Sequence, residues 1–239
     1  PADTYGPPTQ NTEVLGQVPI DIRGTWVIVS HGGLPSNRVR NTVEIYKIDG
    51  EGNGNALDYQ VVKLPDDWKQ GLDEANKAFK SFTPTDAQLA ELARNVDRLE
   101  PGDTNAFIRH QAKIIAPSHF AEADLGRSGI STENSVLALR IQHAYRPGPA
   151  KEGQAQLMSD EALFIVQKAE PTRLEGDHSR IVLAAGFLPI PVVTQGPFTM
   201  YRLRAPGEQP PASSALARIW DALTRGCKSF QRDRGCDDG

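Results

Sequence analysis

The chain has 239 residues and a net charge of -4, from 26 basic and 30 acidic side chains. Because the two signs are interspersed along the sequence, no basic face is available to neutralise a phosphate backbone, and a nucleic-acid partner is not expected. No apolar run reaches the roughly 20 residues that a membrane-spanning helix requires, so the sequence predicts a soluble protein.

Residues 1–21 are predicted to form an extended, proline-rich arm. Prolines fix φ and remove backbone donors, and the segment carries too little apolar area to become ordered by folding alone. We therefore expect the arm to lie across a partner chain or, failing that, across its own barrel. The first residue is Pro1 rather than Met, and such a start is expected where an export signal has been removed.

Eight segments after the arm have the composition of β-strands. Each is rich in Val, Ile, Tyr or Phe and is bounded by Gly, Pro, Asn or Asp, and several alternate apolar with polar residues, as half-buried antiparallel strands do. The predicted strands are Gly24–Ser30, Arg40–Asp49, Ala56–Leu64, Asn105–Ala116, Val136–Arg146, Ala162–Ala169, Arg180–Leu188 and Phe198–Arg204.

A helical hairpin is predicted between the third and fourth strands. The apolar period changes there to that of a helix, and Thr85 provides an N-cap for the second helix. Core packing against the sheet accounts for the aromatic residues of this stripe better than a cofactor site does. The residues expected to be buried are Trp68, Leu72, Phe79, Leu92 and Val96.

Two later segments depart from the strand pattern. Leu188–Pro191 is too rich in proline for a central strand and is predicted to be an irregular or edge connection. Beyond residue 206, the apolar residues from Leu216 to Leu223 predict a short helix. Cys227 and Cys236 follow it, and a disulfide is the simplest use of two thiols so close in sequence, with two unrelated exposed thiols as the alternative.

Together these elements predict a mainly β fold that is α+β by content. The sheet is antiparallel and barrel-like, with about eight strands, an inserted helical hairpin and a C-terminal helix. The arm occupies residues 1–21, the barrel-like domain residues 22–206 with the helical insertion at 66–100, and the C-terminal helix and disulfide tail residues 207–239.

The sequence assigns no catalytic, cofactor-binding or metal-binding residue, and no cofactor is expected. Asp49–Asn55 resembles the front of a calcium loop, but Gln60 stands where the closing acidic ligand would be, and a hairpin loop explains the same residues. The histidines lack zinc spacing. His110 and His143 lie in the fourth and fifth predicted strands, so they would be neighbours if those strands pair. Such a pair could bind a metal, transfer protons or have neither role.

The plan resembles that of the lipocalins. The residues that carry the resemblance are Gly24-Thr25-Trp26 opening the first strand and the arginines Arg202 and Arg204 near the last strand, before a helix. In that family the tryptophan packs beneath an arginine from the end of the barrel and closes its base. The resemblance implies an eight-stranded barrel that can carry a small apolar ligand.

The sequence is compatible with three functions. The first is a non-catalytic exported barrel, periplasmic or extracellular, that acts as an accessory subunit in a larger assembly and contacts a membrane only indirectly. Protein partners are then expected, because an arm of this composition becomes ordered on a surface that something else supplies. The second is a lipocalin-like carrier of a small apolar ligand. The third is a hydrolase or isomerase whose site is built from scattered residues such as His110 and His143.

Overall fold

The computed structural model describes residues 14, 16–33, 39–50, 57–102, 107–120, 129–145, 156–185 and 189–208. These residues form eight strands. All eight belong to one compact unit, which ends at Pro206. The strands are β1 (Gly24–Gly33), β2 (Val39–Asp49), β3 (Asp58–Val62), β4 (Phe107–Ile115), β5 (Leu137–Tyr145), β6 (Gln156–Glu170), β7 (Arg173–Ala185) and β8 (Pro189–Arg204).

The strands form one antiparallel sheet in the order β3-β2-β1-β8-β7-β6-β5-β4. Its two outer strands approach each other at a bridge between Leu57 and Ala112, where the Leu57 amide donates to the Ala112 carbonyl at 2.6 Å. The sheet is therefore a nearly closed barrel, and the predicted eight-stranded antiparallel architecture is confirmed.

Alternate residues of the strands point into the barrel and fill one half of it with apolar side chains. Trp26, Phe164, Phe198 and Met200 are among the largest, and each is 2% exposed or less. Strand alternation explains this core, because residues two apart share a face of the sheet. This half of the barrel is packed with side chains.

Trp26 and Arg202 close this end of the barrel. Trp26 pairs with Arg202 across β1 and β8, the guanidinium carbon lies 4.4 Å from the centre of the indole ring, and Arg202 also donates to the carbonyl of Asp21. The indole N–H donates to the Ile22 carbonyl at 2.8 Å. The stacking expected from the lipocalin resemblance is thus present for Arg202, whereas Arg204 pairs with Asp97 outside the barrel.

Two helices cover the outer faces of β1, β2 and β8: α1 (Asp66–Lys77) and α2 (Asp86–Asn95). Thr85 caps α2 as predicted. Its hydroxyl accepts from the Gln88 amide at 3.2 Å, and the Gln88 side chain accepts from the Thr85 amide at 2.9 Å. Trp68 and Leu92 anchor the two helices on the barrel.

The predicted burial of Phe79 is wrong. Phe79 is 50% exposed with φ of 52°, because α1 ends at Lys77 and the helical period stops there. Phe82 takes the buried place instead, with its ring centre 5.9 Å from that of Trp68. Trp68, Leu92 and Val96 are buried as predicted, and Leu72 packs against them while remaining partly exposed.

Strands β6, β7 and β8 begin earlier than the sequence pattern indicated. Pro189 and Pro191 lie within β8, where the strand pairs with β7 alone, because the pairing of β8 with β1 ends at Gly33 opposite Gln195. A strand with one neighbour tolerates the missing N–H of proline. Residues 189–191 are thus part of a strand and not a connection, and only their edge position is as predicted, while Leu188 lies outside the described residues.

The described end of the arm lies against the barrel's own core. Val14, Val18 and Ile20 pack on the apolar cluster around Trp26, and Gln17 accepts from the hydroxyl of Ser118. Residues 1–13, residues 51–56, the residues of the predicted C-terminal helix and both cysteines lie outside the described residues. Within the described ranges, no helix has the length and apolar character needed to cross a membrane.

Candidate functional site

The inward-facing residues become polar in the half of the barrel away from Trp26. Strand alternation continues, but the side chains that now point inward carry charges, hydroxyls and imidazoles. The residues concerned are Ser30, Thr42, Glu44, Tyr59, His143, Tyr145, Asp160, His178, Arg180 and Thr194. We call this set the polar layer.

An ion pair between β6 and β7 lies at the centre of the polar layer. Arg180 donates through Nε to one oxygen of Asp160 at 2.9 Å and through Nη2 to the other, and Nη2 also reaches Glu44 at 3.1 Å. The Asp160 side chain is 4% exposed. The Glu44 and Asp160 carboxylates, Glu44 foremost, raise the pKa of Arg180, so the guanidinium stays charged.

A tyrosine and two histidines adjoin this ion pair. His110 and His143 are direct neighbours across β4 and β5, as the sequence predicted for pairing strands. The Tyr59 hydroxyl lies 2.9 Å from Nδ1 of His143, and the Tyr59 ring packs edge-on against both imidazoles. Asp160 is the neighbour of His143 across β5 and β6. Burial raises the pKa of Tyr59 above its ordinary value.

A cavity of about 310 Å³ opens at this end of the barrel. Its lining comes from the ends of β1, β5 and β7 and the starts of β2, β6 and β8, that is, from the end opposite Trp26. Burial raises the pKa of Tyr145 to about 12, so its hydroxyl stays protonated. The lining residues are Gly32, Arg40, Thr42, Tyr145, Asp160, His178, Arg180, Val182, Val192 and Thr194.

His178 presents a defined tautomer to this cavity. Its Nδ1 donates to the carbonyl of Gly196 at 2.8 Å, so the ring carries its proton there and Nε2 is a hydrogen-bond acceptor. Burial lowers the pKa of His178 and keeps the ring neutral. Gly196 is required at this position, because a Cβ would lie 2.0 Å from the His31 carbonyl oxygen.

The structure brings together residues that the sequence pattern did not single out. His110 and His143 were considered as a pair, but Arg180, Asp160 and His178 were not. The sequence did contain part of the information needed to find them. Each of these side chains is an even number of residues from apolar residues of its own strand that point into the barrel, so it lies on the same face of the sheet. Among the described residues, no group of three or more His, Cys, Asp or Glu side chains is arranged to hold a metal ion.

Lowering the pH from about 7 to 5 is expected to destabilise the barrel through His143. Burial above all lowers the pKa of His143 in the folded protein, so the unfolded chain, whose histidine titrates near pH ~6.5, takes up the proton first. Stability contributed by the neutral ring is therefore complete above that pH and is lost as the pH falls below it. His178 acts in the same direction.

Urea denaturation at several pH values tests this expectation. The His143→Gln variant should lose part of the pH dependence between pH 7 and 5, since glutamine does not titrate. A variant whose stability follows pH as steeply as that of the wild type would contradict a role for His143.

Comparisons with known proteins provide no family assignment. No family model matches the chain, and neither the curated proteins nor the solved structures give a match.

Proposed function

We propose that this protein is a lipocalin-like binding barrel that holds a small organic molecule in the cavity at its open end. The observation that carries the proposal is the division of the barrel interior. One half is packed with apolar side chains and closed by Trp26 and Arg202, and the other half leaves a cavity of about 310 Å³. Small barrels of this strand number commonly hold one ligand in their mouth.

The lining supports a ligand with polar groups, in place of the purely apolar ligand expected from sequence. The apolar volume of the barrel is already occupied by residues such as Phe164 and Met200. The cavity instead combines charged, hydroxyl and imidazole groups with an apolar wall formed by Val182 and Val192. Ligand sites with a few placed polar groups and an apolar wall select for orientation as well as for shape.

The relation to the lipocalins is also part of this proposal. Three features support it: the eight-stranded antiparallel barrel, the arginine stacked over the Gly-x-Trp tryptophan, and a cavity at the other end. The helices α1 and α2 are an addition to the usual lipocalin plan.

Two neighbouring valines provide a matched test of the binding function. Val192 and Val193 are both 42% exposed on β8, but Val192 lines the cavity and Val193 is on the opposite side of the strand. The Val192→Trp variant should fill the cavity mouth, whereas Val193→Trp adds the same ring outside the barrel.

The measurement is ligand-observed NMR with a library of small polar and aromatic compounds. Compounds that bind the wild type should also bind the Val193→Trp variant, and their binding should weaken at least about tenfold in Val192→Trp. The proposal fails if the wild type binds none of the compounds, or if Val192→Trp binds them unchanged.

A second candidate is the accessory subunit of a larger exported assembly. Its support is an apolar surface on the outer face of β7 and β8, where Ile181 and Val193 are paired neighbours and are both exposed. Met158 on β6 is exposed as well. Protein partners favour exposed apolar patches. Native mass spectrometry of endogenous material, compared with an Ile181→Glu variant, tests this candidate, because a genuine subunit should lose its fixed stoichiometry in the variant.

A further inference from the structure

We infer that the cavity accepts a small carboxylate that also carries a hydroxyl group, with Arg40 binding the carboxylate and Nε2 of His178 accepting from the hydroxyl. This inference rests on the proposed binding function and names the ligand class. It follows from the charges and hydrogen-bonding groups that the cavity leaves unused.

Among the described residues that line the cavity, the charged side chain left without a described partner is that of Arg40. Both oxygens of Asp160 are bound by Arg180, so this carboxylate has little capacity left for a cationic ligand. Arg180 also pairs with Glu44, so its own charge is not available to a ligand. Arg40 lines the same cavity, and its exposed side chain makes no ion pair or hydrogen bond with any described residue. A guanidinium offers paired donors that match a carboxylate.

The unused acceptor at the cavity is Nε2 of His178. The residue is 2% exposed and lines the cavity, its Nδ1 is committed to the Gly196 carbonyl, and Nε2 has no hydrogen-bond partner among the described residues. Nε2 can therefore accept a hydrogen bond from a ligand donor that enters the cavity. Phe164 stacks on the imidazole at 5.9 Å between ring centres and limits its rotation.

The cavity also limits the size of the ligand. Its volume of about 310 Å³ lies at the small end of ligand sites, which start near 300 Å³. Val182 and Val192 face each other across β7 and β8 and form the apolar wall. A single aromatic or alicyclic ring with two polar substituents fits this description.

The three isomeric hydroxybenzoates serve as probes, each compared with benzoate and with the corresponding hydroxybenzamide. Isothermal titration with the whole 239-residue chain measures their dissociation constants. At least one hydroxybenzoate should bind about tenfold or more tightly than both of its comparison compounds, because each comparison compound lacks one of the two inferred hydrogen-bonding groups.

Two variants test which residue binds the carboxylate and which binds the hydroxyl group of the ligand. Arg40→Gln should abolish the preference for carboxylate over amide, whereas Arg94→Gln, the same change at an exposed arginine on α2, should preserve it. His178→Asn should abolish the preference for the hydroxyl. Asparagine places an amide N–H as many bonds from Cβ as Nδ1, so the bond to Gly196 can persist without Nε2, and thermal unfolding checks that the variant is folded.

The outcomes separate this inference from the proposed function. Binding that depends on Val192 but shows no preference for carboxylate or hydroxyl overturns the inference and leaves the binding barrel in place. Preferences that survive in Arg40→Gln and His178→Asn overturn the assignment of these residues. Absence of any binding sensitive to Val192→Trp removes both the inference and the proposed function.

Discussion

Replacing Trp26 by alanine is expected to lower the free energy of unfolding by about 3–5 kcal/mol. The side chain is fully buried at the closed end of the barrel, so its removal leaves a cavity that the rigid strands around it cannot fill. The variant also loses the indole N–H bond to the Ile22 carbonyl and the contact with the Arg202 guanidinium. Urea denaturation monitored by far-UV circular dichroism measures the change.

Two further variants separate the contributions to this loss. Trp26→Phe keeps an aromatic ring and should cost less than alanine, and Arg202→Met removes the cation over the ring, a contact usually worth about 0.5–2 kcal/mol. If Trp26→Ala lowers the free energy of unfolding by less than Arg202→Met does, the arginine and its bond to Asp21 stabilise the closed end of the barrel more than the tryptophan does.

The apolar half of the barrel could be predicted from sequence because its residues obey strand alternation. Trp26 and Ile28 in β1 and Tyr46 and Ile48 in β2 face the interior with the spacing of two that a half-buried strand produces. Each strand carries this signal by itself, without knowledge of its neighbours. All eight strands were located in this way, and the helical insertion was located by the change to a helical period.

The polar half could not be predicted because the same alternation carries charges there. Glu161 and Asp160 are adjacent in β6, yet one is outside the barrel and the other is nearly fully buried. In β7, Arg173–Ser179 has polar residues on both faces, so the pattern did not indicate a strand. The start of β6, β7 and β8 was therefore placed too late in the chain.

The site itself depends on pairings that are distant in sequence. Arg180 meets Asp160 across 20 residues and Glu44 across 136 residues, and only the order of strands in the closed sheet brings them together. The pairing of His110 with His143 was foreseeable because β4 and β5 are consecutive strands. The sequence of a single strand does not show which of the other charged residues face the cavity. That depends on how the strands are arranged in the barrel.

The Arg180→Met variant is expected to lose about 3–5 kcal/mol of stability, because it leaves the buried carboxylate of Asp160, and also that of Glu44, without the shared counter-ion. The Arg180 side chain is 17% exposed and that of Asp160 4%, so water replaces the lost partner only in part. Removing both charges in Arg180→Met/Asp160→Asn should recover much of the loss, since the cost arises mainly from the unpaired charge. Urea denaturation of the single and double variants forms the double-mutant cycle.

Arg140 provides the matched control for this cycle. It pairs with Glu161 at 2.8 Å on the outer face of β5 and β6, and the two side chains are 35% and 38% exposed. Because solvent screens such a pair, Arg140→Met should cost no more than about 1 kcal/mol. Equal losses for Arg180→Met and Arg140→Met, or a double variant no more stable than Arg180→Met, would show that the interior ion pair is well solvated. The open end of the barrel would then be a water-filled mouth, and its charges would contribute little to stability.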